Sequence, residues 1–236
     1  MITLRLAEER GHADHGWLNS YHTFSFANYH DPKHMGFRAL RVLNDDRVAP
    51  GRGFGSHGHR DMEIISYVLE GSLAHKDSTG TQEVLEANMV QAMSAGTGVI
   101  HSEFNGSPTQ PVHFLQIWIE PAEMDVEPSY QQFAYDPAEK KGRLRLIAGP
   151  DKQTKEPAAF IHQDARMYAS VLAAGESLEQ PIVKGRYAWV HCAQGNITLN
   201  GHAMKEGDGA AISDEAALQI VGAGPAGGEF LVFDLA

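Results

Sequence analysis

The chain has 236 residues, and its 30 acidic and 19 basic side chains give it a formal net charge of -11 at pH 7. This length allows two domains that each bury a core, while an acidic surface repels phosphate backbones and disfavours direct binding to nucleic acid. The single cysteine, Cys192, excludes an intrachain disulfide and suits a reducing compartment, so we expect a cytoplasmic protein. Residues 1–16 do not resemble a signal peptide and no stretch approaches the ~20 apolar residues of a membrane span, so we expect neither export nor membrane association.

Short apolar runs rich in β-branched and aromatic residues recur along the chain and predict strands. They include residues 64–69, 114–119, 187–192 and 230–235. Between such runs, residues 44–46, 50–53, 78–80 and 200–201 are rich in Gly, Asp and Asn, which indicates turns. Long helical periodicity is absent, so the pattern predicts an all-β protein built from antiparallel sandwiches or barrels.

The pattern changes between residues 121 and 150, where Pro, Glu and Lys become frequent. Such a composition is typical of a connection between domains. We therefore expect one domain over residues 1–139 and a second over residues 140–236. A faint similarity between residues 69–73 and 192–197 is in keeping with an internal duplication.

Ten of the 13 histidines precede residue 114, and two clusters among them have the spacing of metal ligands. In His57-Gly58-His59 the two imidazoles are two residues apart, which places both on one face of an extended strand. The same spacing in His101-Ser102-Glu103 presents an imidazole and a carboxylate together. Two neighbouring strands can therefore supply three nitrogens and one oxygen to one ion.

This donor set has intermediate softness and suits a divalent transition-metal ion rather than Mg(II) or Ca(II), which prefer oxygen ligands. Fe(II), Mn(II), Co(II), Ni(II), Cu(II) and Zn(II) all fit. A single His-x-His in a turn-rich region is more often a solvated loop than a site, but two pairs on strands favour the ligand interpretation. No His-x-His occurs after residue 140, so the second domain is expected to bind no metal, and His162, His191 and His202 are expected to be structural or exposed.

Around the first pair the sequence resembles the first cupin motif, since Gly51, His57, His59 and Gly71 have its spacing. Glu63 is one residue out of register with Gly71, and a one-residue slip turns a strand side chain to the other face, so we do not expect it to bind the ion. The second cupin motif resembles the stretch from His101 to Asn105, although Gly96 stands where a proline is usual. In this stretch Glu103 takes the place of the missing carboxylate ligand.

Further sequence segments are similar to the pirin family. In that family too, a glutamate in the second motif replaces the glutamate ligand of the first motif. The similar segments include residues 15–18, 22–27, 40–46, 93–98 and 116–119, and more loosely 195–197, 207–209 and 230–234. The resemblance implies a bicupin fold, with two antiparallel jelly-roll β-barrels packed together. It also implies one bound metal ion on His57, His59, His101 and Glu103, with Fe(II) as the first expectation.

Bacterial pirins resemble quercetin 2,3-dioxygenases, which open the central ring of a flavonol with O2 and release carbon monoxide. The resemblance therefore implies a metal-dependent dioxygenase that acts on a small planar phenol with O2. We expect a monomer, because two cupin sheets can cover one another within the chain. The alternative is a pirin without turnover that senses metal or redox state and binds a protein partner, including one that regulates transcription. A zinc cupin with isomerase or hydrolase activity would explain the ligands but not the pirin phrases.

For a dioxygenase, Glu103 is the natural acceptor of the proton that a flavonol 3-hydroxyl must lose, as ligand and general base in turn. Alternatively, Glu103 only balances the charge of the metal ion. Aromatic or apolar side chains that could stack on a planar substrate are Phe24, Phe26, Phe54, Met93 and Trp118, of which we expect about two to reach the ligand. His113 and Gln116 are candidates to orient a metal-bound imidazole, but an odd and an even residue cannot both face inward on a regular strand.

Overall fold

The structure is a computed structural model that describes residues 1–152 and 155–236. Within these ranges the chain forms 21 β-strands and two short 3-10 helices, Ala7–Glu9 and Pro137–Lys140, which confirms the all-β prediction. Neither helix of the described chain has the length and apolar character needed to cross a membrane. The strands are, in chain order, β1 (Ile2–Arg5), β2 (Gly11–Asp14), β3 (Leu18–His22), β4 (Leu40–Val48), β5 (Gly53–His59), β6 (Glu63–Glu70), β7 (Ser72–Asp77), β8 (Gln82–Glu86), β9 (Met89–Ser94), β10 (Val99–Asn105), β11 (Val112–Ile119), β12 (Ser129–Ala134), β13 (Arg145–Gly149), β14 (Ala159–Phe160), β15 (Ala165–Leu172), β16 (Ser177–Pro181), β17 (Tyr187–Leu199), β18 (His202–Lys205), β19 (Gly209–Ile212), β20 (Ala217–Gly222) and β21 (Gly228–Leu235).

The chain divides into two compact units that are not contiguous in sequence. The N-terminal unit comprises Gly11–Tyr135 and the described part of Pro150–Gln163. The C-terminal unit comprises Met1–Arg10, Asp136–Gly149 and Asp164–Ala236. The expected boundary between residues 139 and 140 stays a prediction.

The N-terminal unit contains two antiparallel sheets. One has seven strands in the order β12-β9-β6-β11-β4-β3-β2, and the other has four in the order β5-β10-β7-β8. Apolar side chains from both sheets form a shared buried cluster, so the inner faces of the sheets pack against each other. The members of this cluster include Val68 and Phe114 from the larger sheet and Leu73 and Leu85 from the smaller one.

A row of polar side chains crosses the inner face of the seven-stranded sheet. The strand register places His22 opposite Asn44, Asn44 opposite Gln116, Gln116 opposite Ser66, and Ser66 opposite Gln91. Apolar side chains lie on either side of this row, in two separate core clusters. Buried polar groups are costly unless they have partners, so this row indicates a functional site and not only a packed core.

The C-terminal unit is a second antiparallel assembly. Its strands β1, β19, β17, β21, β15 and β13 are hydrogen-bonded in this order, while β16 pairs with β20, and both β18 and β20 pair with β17. Leu172, Val190, Ile220 and Phe230 belong to its apolar core. Cys192 is buried there, and this burial raises the pKa of its thiol to about 12, so the thiol is not a reactive nucleophile.

The four apolar runs named above lie within β6, β11, β17 and β21, and the turns expected at residues 78–80 and 200–201 connect β7 to β8 and β17 to β18. The turn expected at residues 44–46 was wrong, because these residues lie in the middle of β4. Their side chains are buried and have partners on neighbouring strands: Asn44 donates to Gln116, Asp45 bonds to His113 and Asp46 accepts from Ser20. Residues 121–150 are also more ordered than a linker, since β12 pairs along its whole length with β9.

Candidate metal centre

The predicted ligand pairs lie on adjacent strands of the four-stranded sheet. In the antiparallel pairing of β5 with β10, His57 is directly opposite His101 and His59 is opposite Val99. Residues opposite each other project to the same face, and alternation along β5 brings His59 to that face too. The structure thus brings three of the predicted imidazoles together.

A β-bulge next to this point brings a further side chain to the same face. The register shifts between His101 and Glu103, so that Glu103 lies opposite Phe54 instead of Gly55. An added Cβ on Gly53 would lie 2.2 Å from the carbonyl oxygen of Glu103, so glycine is required for the close approach of β5 to β10. The bulge therefore turns Phe54 toward the inner face, which regular alternation from His57 and His59 would not do.

The three imidazoles form one compact cluster. Each offers a nitrogen within 4.8 Å of a nitrogen of the other two. The Nε2 atoms of His57 and His101 are 3.1 Å apart, and the ring centroids of His59 lie 4.8 Å from those of both other rings. His101 is buried, whereas His57 and His59 are half-buried, so one side of the cluster is accessible.

The electrostatics of the cluster keep its imidazoles in the form that binds metals. Burial, followed by the charges of His101 and His57, lowers the pKa of His59 to about 4. Burial, followed by His57 and His75, lowers the pKa of His101 to about 3. These two rings are therefore neutral at neutral pH. Nδ1 of His57 is 2.8 Å from the carbonyl oxygen of Gly55 and donates to it, which leaves the lone pair of Nε2 facing the cluster.

Glu103 is fully buried and only one of its oxygens is occupied. Oε1 accepts hydrogen bonds from Oγ of Ser66 at 3.1 Å and Nε2 of Gln91 at 2.8 Å. Oε2 is buried and has no hydrogen-bond partner in the described chain. Glu103 shares its group of closely spaced ligand atoms with His101 and His75, while the other group comprises His57, His59 and His101. The two groups meet at His101.

These residues fit a divalent transition-metal ion. Two ligands at right angles, each ~2.1 Å from an ion, are ~3 Å apart, which matches the separation of the two Nε2 atoms. A buried carboxylate oxygen without a partner costs free energy unless something binds it, and an ion beside the imidazoles would satisfy Oε2 of Glu103. The donor set has the nitrogen and oxygen composition that such metals accept.

A cavity of about 540 Å³ lies in the same unit. Its wall includes Phe26 and Phe54, and Phe26 contacts Trp118 edge to face at 5.4 Å between centroids. Trp118 in turn contacts His59 at 5.0 Å, so the cavity lies beside the cluster. The remaining lining residues are His12, Ala13, His15, Trp17, Leu18, Ser20, His22, Ala27, Asn28, Tyr29, Asp46 and Gln116.

The cavity wall contains a buried carboxyl group, Asp46, that is a weaker acid than usual. Asp46 accepts a hydrogen bond from the hydroxyl of Ser20, and burial raises the pKa of Asp46 to about 7 against the effect of that bond. The nearby charges of Asp45 and Glu103 raise this pKa further. Near neutral pH the Asp46 carboxyl is therefore protonated in a large fraction of the molecules, whereas an ordinary aspartate is fully ionised.

The five predicted stacking side chains divide between cavity and core. Phe26 and Phe54 line the cavity, Trp118 touches His59, and Phe24 and Met93 are buried in the protein interior. Which of them contacts a substrate stays a prediction.

The two candidate orienting residues, His113 and Gln116, point to opposite faces of β11, as the alternation of side chains along a strand requires. Gln116 faces the cavity, whereas Nε2 of His113 is 2.8 Å from the carboxylate of Asp45. Glu63 likewise belongs to another set, because its two oxygens accept from Ser94 at 2.7 Å and bond to His162 at 3.1 Å.

Sequence reasoning left His75 without a role and missed four further side chains that surround the cluster. His75 and Asp77 on β7 lie opposite Glu103 and His101, and Ser66, Gln91 and Tyr130 come from the larger sheet. They share no motif and are spread over 65 positions of the chain, so only knowledge of the strand pairing would have predicted that they lie together.

A two-unit all-β fold with clustered histidine and glutamate donors on adjacent strands defines a bicupin with a candidate metal centre. The comparisons agree: a profile described as Pirin matches residues 3–119, and one described as quercetinase C-terminal cupin domain matches residues 146–235. The chain belongs to the pirin family. The bicupin expectation is thus confirmed, while the jelly-roll description of each barrel stays a prediction.

The similarity extends over the whole chain. A quercetin 2,3-dioxygenase of Escherichia coli K12 is 47% identical over 235 residues, which covers 100% of this chain and 99% of that protein. The crystal structure of YhhW from Escherichia coli has a TM-score of 0.94 at 47% identity, covering 100% of this chain and 98% of that one. A structure of the bacterial pirin YhhW in complex with nickel(II) has a TM-score of 0.92 at 46% identity and covers 100% of this chain and 99% of that one.

Proposed function

We propose that this chain is a metal-dependent dioxygenase that opens the central ring of a flavonol such as quercetin with O2 and releases carbon monoxide. The observation that carries this proposal is a cluster of three imidazoles and a buried carboxylate beside an aromatic-lined cavity. Relatives that match the full length of the chain are named quercetin 2,3-dioxygenase, which supports the same substrate class.

In this proposal His57, His59, His101 and Glu103 bind one divalent transition-metal ion. When bound, the ion supplies a Lewis acid and open coordination positions for a phenolic oxygen and O2. The nickel(II) complex of YhhW supports a divalent transition metal, and we propose Fe(II) as the resident ion. The rings of His57 and His59 are half-buried, so one side of the cluster is accessible from outside the protein.

The cavity has the volume and lining that a flat polyphenol requires. About 540 Å³ lies within the usual range for small-molecule sites, and such sites combine apolar walls with a few polar groups. Phe26 and Phe54 offer ring faces or edges for stacking, while Gln116 and Asp46 offer polar atoms to phenolic hydroxyls.

Glu103 is proposed as the acceptor of the 3-hydroxyl proton. Its Oε1 already accepts two hydrogen bonds, so Oε2 is the atom that can either ligate the ion or take the proton. Alternation between these two tasks requires only that Oε2 change partner, because Ser66 and Gln91 keep the rest of the carboxylate in place.

We further propose that the protein works as a monomer in the cytoplasm. Its single cysteine leaves no intrachain disulfide to form, which suits a reducing compartment.

The proposal is tested by measuring bound metal with elemental mass spectrometry and following quercetin absorbance together with O2 uptake. Wild type is compared with His59→Ala and Glu103→Ala, and with His202→Ala as a control in which an exposed histidine is removed. We expect oxygen-dependent loss of quercetin in wild type and the control, and at least a 100-fold lower rate in the other two variants. Bound metal without turnover in wild type would contradict the enzyme and favour a sensing or binding role.

A further inference from the structure

A buried histidine and aspartate lie next to the cluster on its inner side. Strand β7 pairs with β10 so that Asp77 is opposite His101 and His75 is opposite Glu103. Nε2 of His75 lies 2.9 Å from Oδ2 of Asp77, and both side chains are almost fully buried. The ring of His75 lies 5.4 Å from that of His101, centroid to centroid, and 4.6 Å from that of Tyr130.

The surroundings of Asp77 determine which nitrogen of His75 carries the proton. Oδ1 of Asp77 accepts from the backbone nitrogens of Thr79 at 2.9 Å and Thr81 at 3.2 Å, and from the Thr79 hydroxyl at 2.6 Å. Oδ2 is left for His75, and a carboxylate can only accept, so Nε2 of His75 is the donor. Nδ1 of the neutral His75 ring therefore carries a lone pair.

The atom with this lone pair belongs to a group of three buried polar atoms around the cluster that are unsatisfied. Nδ1 of His75, Nδ1 of His101 and Oε2 of Glu103 are all buried and have no hydrogen-bond partner in the described chain. The three residues offer ligand atoms within 4.8 Å of one another. Since Asp77 occupies Nε2 of His75, Nδ1 is the nitrogen of His75 that remains for a contact with this group.

A metal ion on the Nε2 atoms would define the roles of these groups. A neutral His101 that binds through Nε2 must carry its proton on Nδ1, and that N–H then needs an acceptor. Oε2 of Glu103 would be used by the ion. The remaining buried acceptor is Nδ1 of His75.

We propose that His75 is a positioning residue that accepts a hydrogen bond from Nδ1–H of His101 in the metal-loaded protein, with Asp77 fixing the tautomer of His75. This inference rests on the metal site of the proposed function. It gives the cluster two orienting contacts: the carbonyl of Gly55 for His57, and the chain from Asp77 through His75 for His101.

The substitution Asp77→Asn tests the tautomer directly. The backbone N–H groups of Thr79 and Thr81 can only donate, so they hold the amide oxygen, and the NH2 group is left to face His75. His75 must then accept at Nε2 and carry its proton on Nδ1, where it opposes the proton of His101. We expect the affinity for Zn(II), measured on the full chain by competition with a chelator, to fall 10–100-fold.

Three comparisons separate orientation from general damage. Asp45→Asn makes the same change in another buried pair, Asp45 with His113, and should leave Zn(II) affinity within about twofold of wild type. His75→Phe keeps a ring beside Tyr130 but removes the acceptor, so it should lower the affinity as Asp77→Asn does. His75→Asn places an amide oxygen near the former Nδ1 and should recover part of the loss. Nitrogen NMR of the Zn(II) form should show Nδ1 unprotonated on His75 and protonated on His101.

The outcomes are distinct. Tight Zn(II) binding by wild type with unchanged affinity in Asp77→Asn and His75→Phe would overturn the inference and leave the metal site standing. Two Zn(II) ions per chain, one of them lost in these variants, would also overturn it, because the inner group would then be a separate site. No Zn(II) binding by wild type would overturn the proposed metal site itself. If Asp77→Asn does not fold, the pair His75→Phe and His75→Asn makes the same test.

Discussion

At the scale of single residues, the orientation of Glu103 depends on two neutral side chains from the opposite sheet. Ser66 and Gln91 both donate to Oε1, and Oε1 of Gln91 accepts from the hydroxyl of Tyr130 at 3.1 Å. The same hydroxyl lies 2.8 Å from the side-chain oxygen of Gln132, so its one proton is shared between the two amide oxygens. Because the contact with Tyr130 restricts Gln91, the Glu103 carboxylate is restricted to an orientation in which Oε2 remains available to the cluster.

The substitution Gln91→Leu should therefore weaken metal binding without removing a ligand. We expect about tenfold lower affinity for Ni(II) or Zn(II), because Oε1 of Glu103 loses its 2.8 Å hydrogen bond and the carboxylate can turn. Gln132→Leu is the matched control, since Gln132 bonds to Tyr130 but not to Glu103. Equal losses in the two variants, measured by chelator competition, would contradict the orienting role.

The buried carboxyl of Asp46 should make stability depend on pH. Between pH about 4 and about 7 the folded protein keeps a proton on Asp46 that the unfolded chain releases, so the contribution of Asp46 to stability falls as pH rises through this interval. Asp46→Asn lacks this proton, so its free energy of unfolding should rise relative to wild type by about 1–4 kcal/mol between pH 4 and pH 8.

Urea unfolding at several pH values measures this difference. Asp214→Asn, at an exposed position where the backbone has a φ of 58° that asparagine tolerates, is the control and should show no such trend. Parallel pH dependences for Asp46→Asn and wild type would show that Asp46 is charged in the folded protein at low pH.

At the scale of elements, the strand period of two explains why the ligands were predictable from sequence. His57 and His59, and His101 and Glu103, are two residues apart on strands that proved to be adjacent. The sequence did not reveal the bulge beside Glu103, because it depends on the close approach that Gly53 permits between β5 and β10.

The polar row of the larger sheet was equally hidden. Asn44 and Asp46 suggested a turn by their residue types, but within β4 they form hydrogen bonds with partners from β11 and β3. Local propensity was overridden here by contacts between residues far apart in sequence. The tautomer-determining pair His75 and Asp77 could not be predicted for the same reason, since its meaning depends on the pairing of β7 with β10.

The turn between β6 and β7 should be sensitive to a single added methyl group. Gly71 has a φ of +78°, and an added Cβ would lie 2.6 Å from the carbonyl oxygen of Pro111. We expect Gly71→Ala to lower the free energy of unfolding by about 2–4 kcal/mol, through backbone strain and this clash. Gly16 has nearly the same φ, +76°, with nothing within 4 Å, so Gly16→Ala should cost only about 1–2 kcal/mol. Equal losses in chemical denaturation would mean that the backbone near Pro111 moves freely.

At the scale of the whole molecule, the candidate chemistry is concentrated in one of the two units. The predicted ligands, the cavity and the polar row all lie within Gly11–Tyr135 of the N-terminal unit. The C-terminal unit has a continuous apolar core and a buried thiol of raised pKa. Family membership covers both halves of the chain and agrees with a bicupin.

The proposed insertion of O2 into a flavonol at the metal centre can be followed by isotope labelling. Metal-loaded protein is supplied with quercetin under ¹⁸O2, and the product mass and released carbon monoxide are measured. A ring-opening dioxygenase places both oxygen atoms in products and releases one carbon monoxide per quercetin, so we expect two ¹⁸O atoms in the ring-opened acid and none after His59→Ala. Quercetin loss without ¹⁸O in the organic product, or unchanged labelling in His59→Ala, would contradict the account.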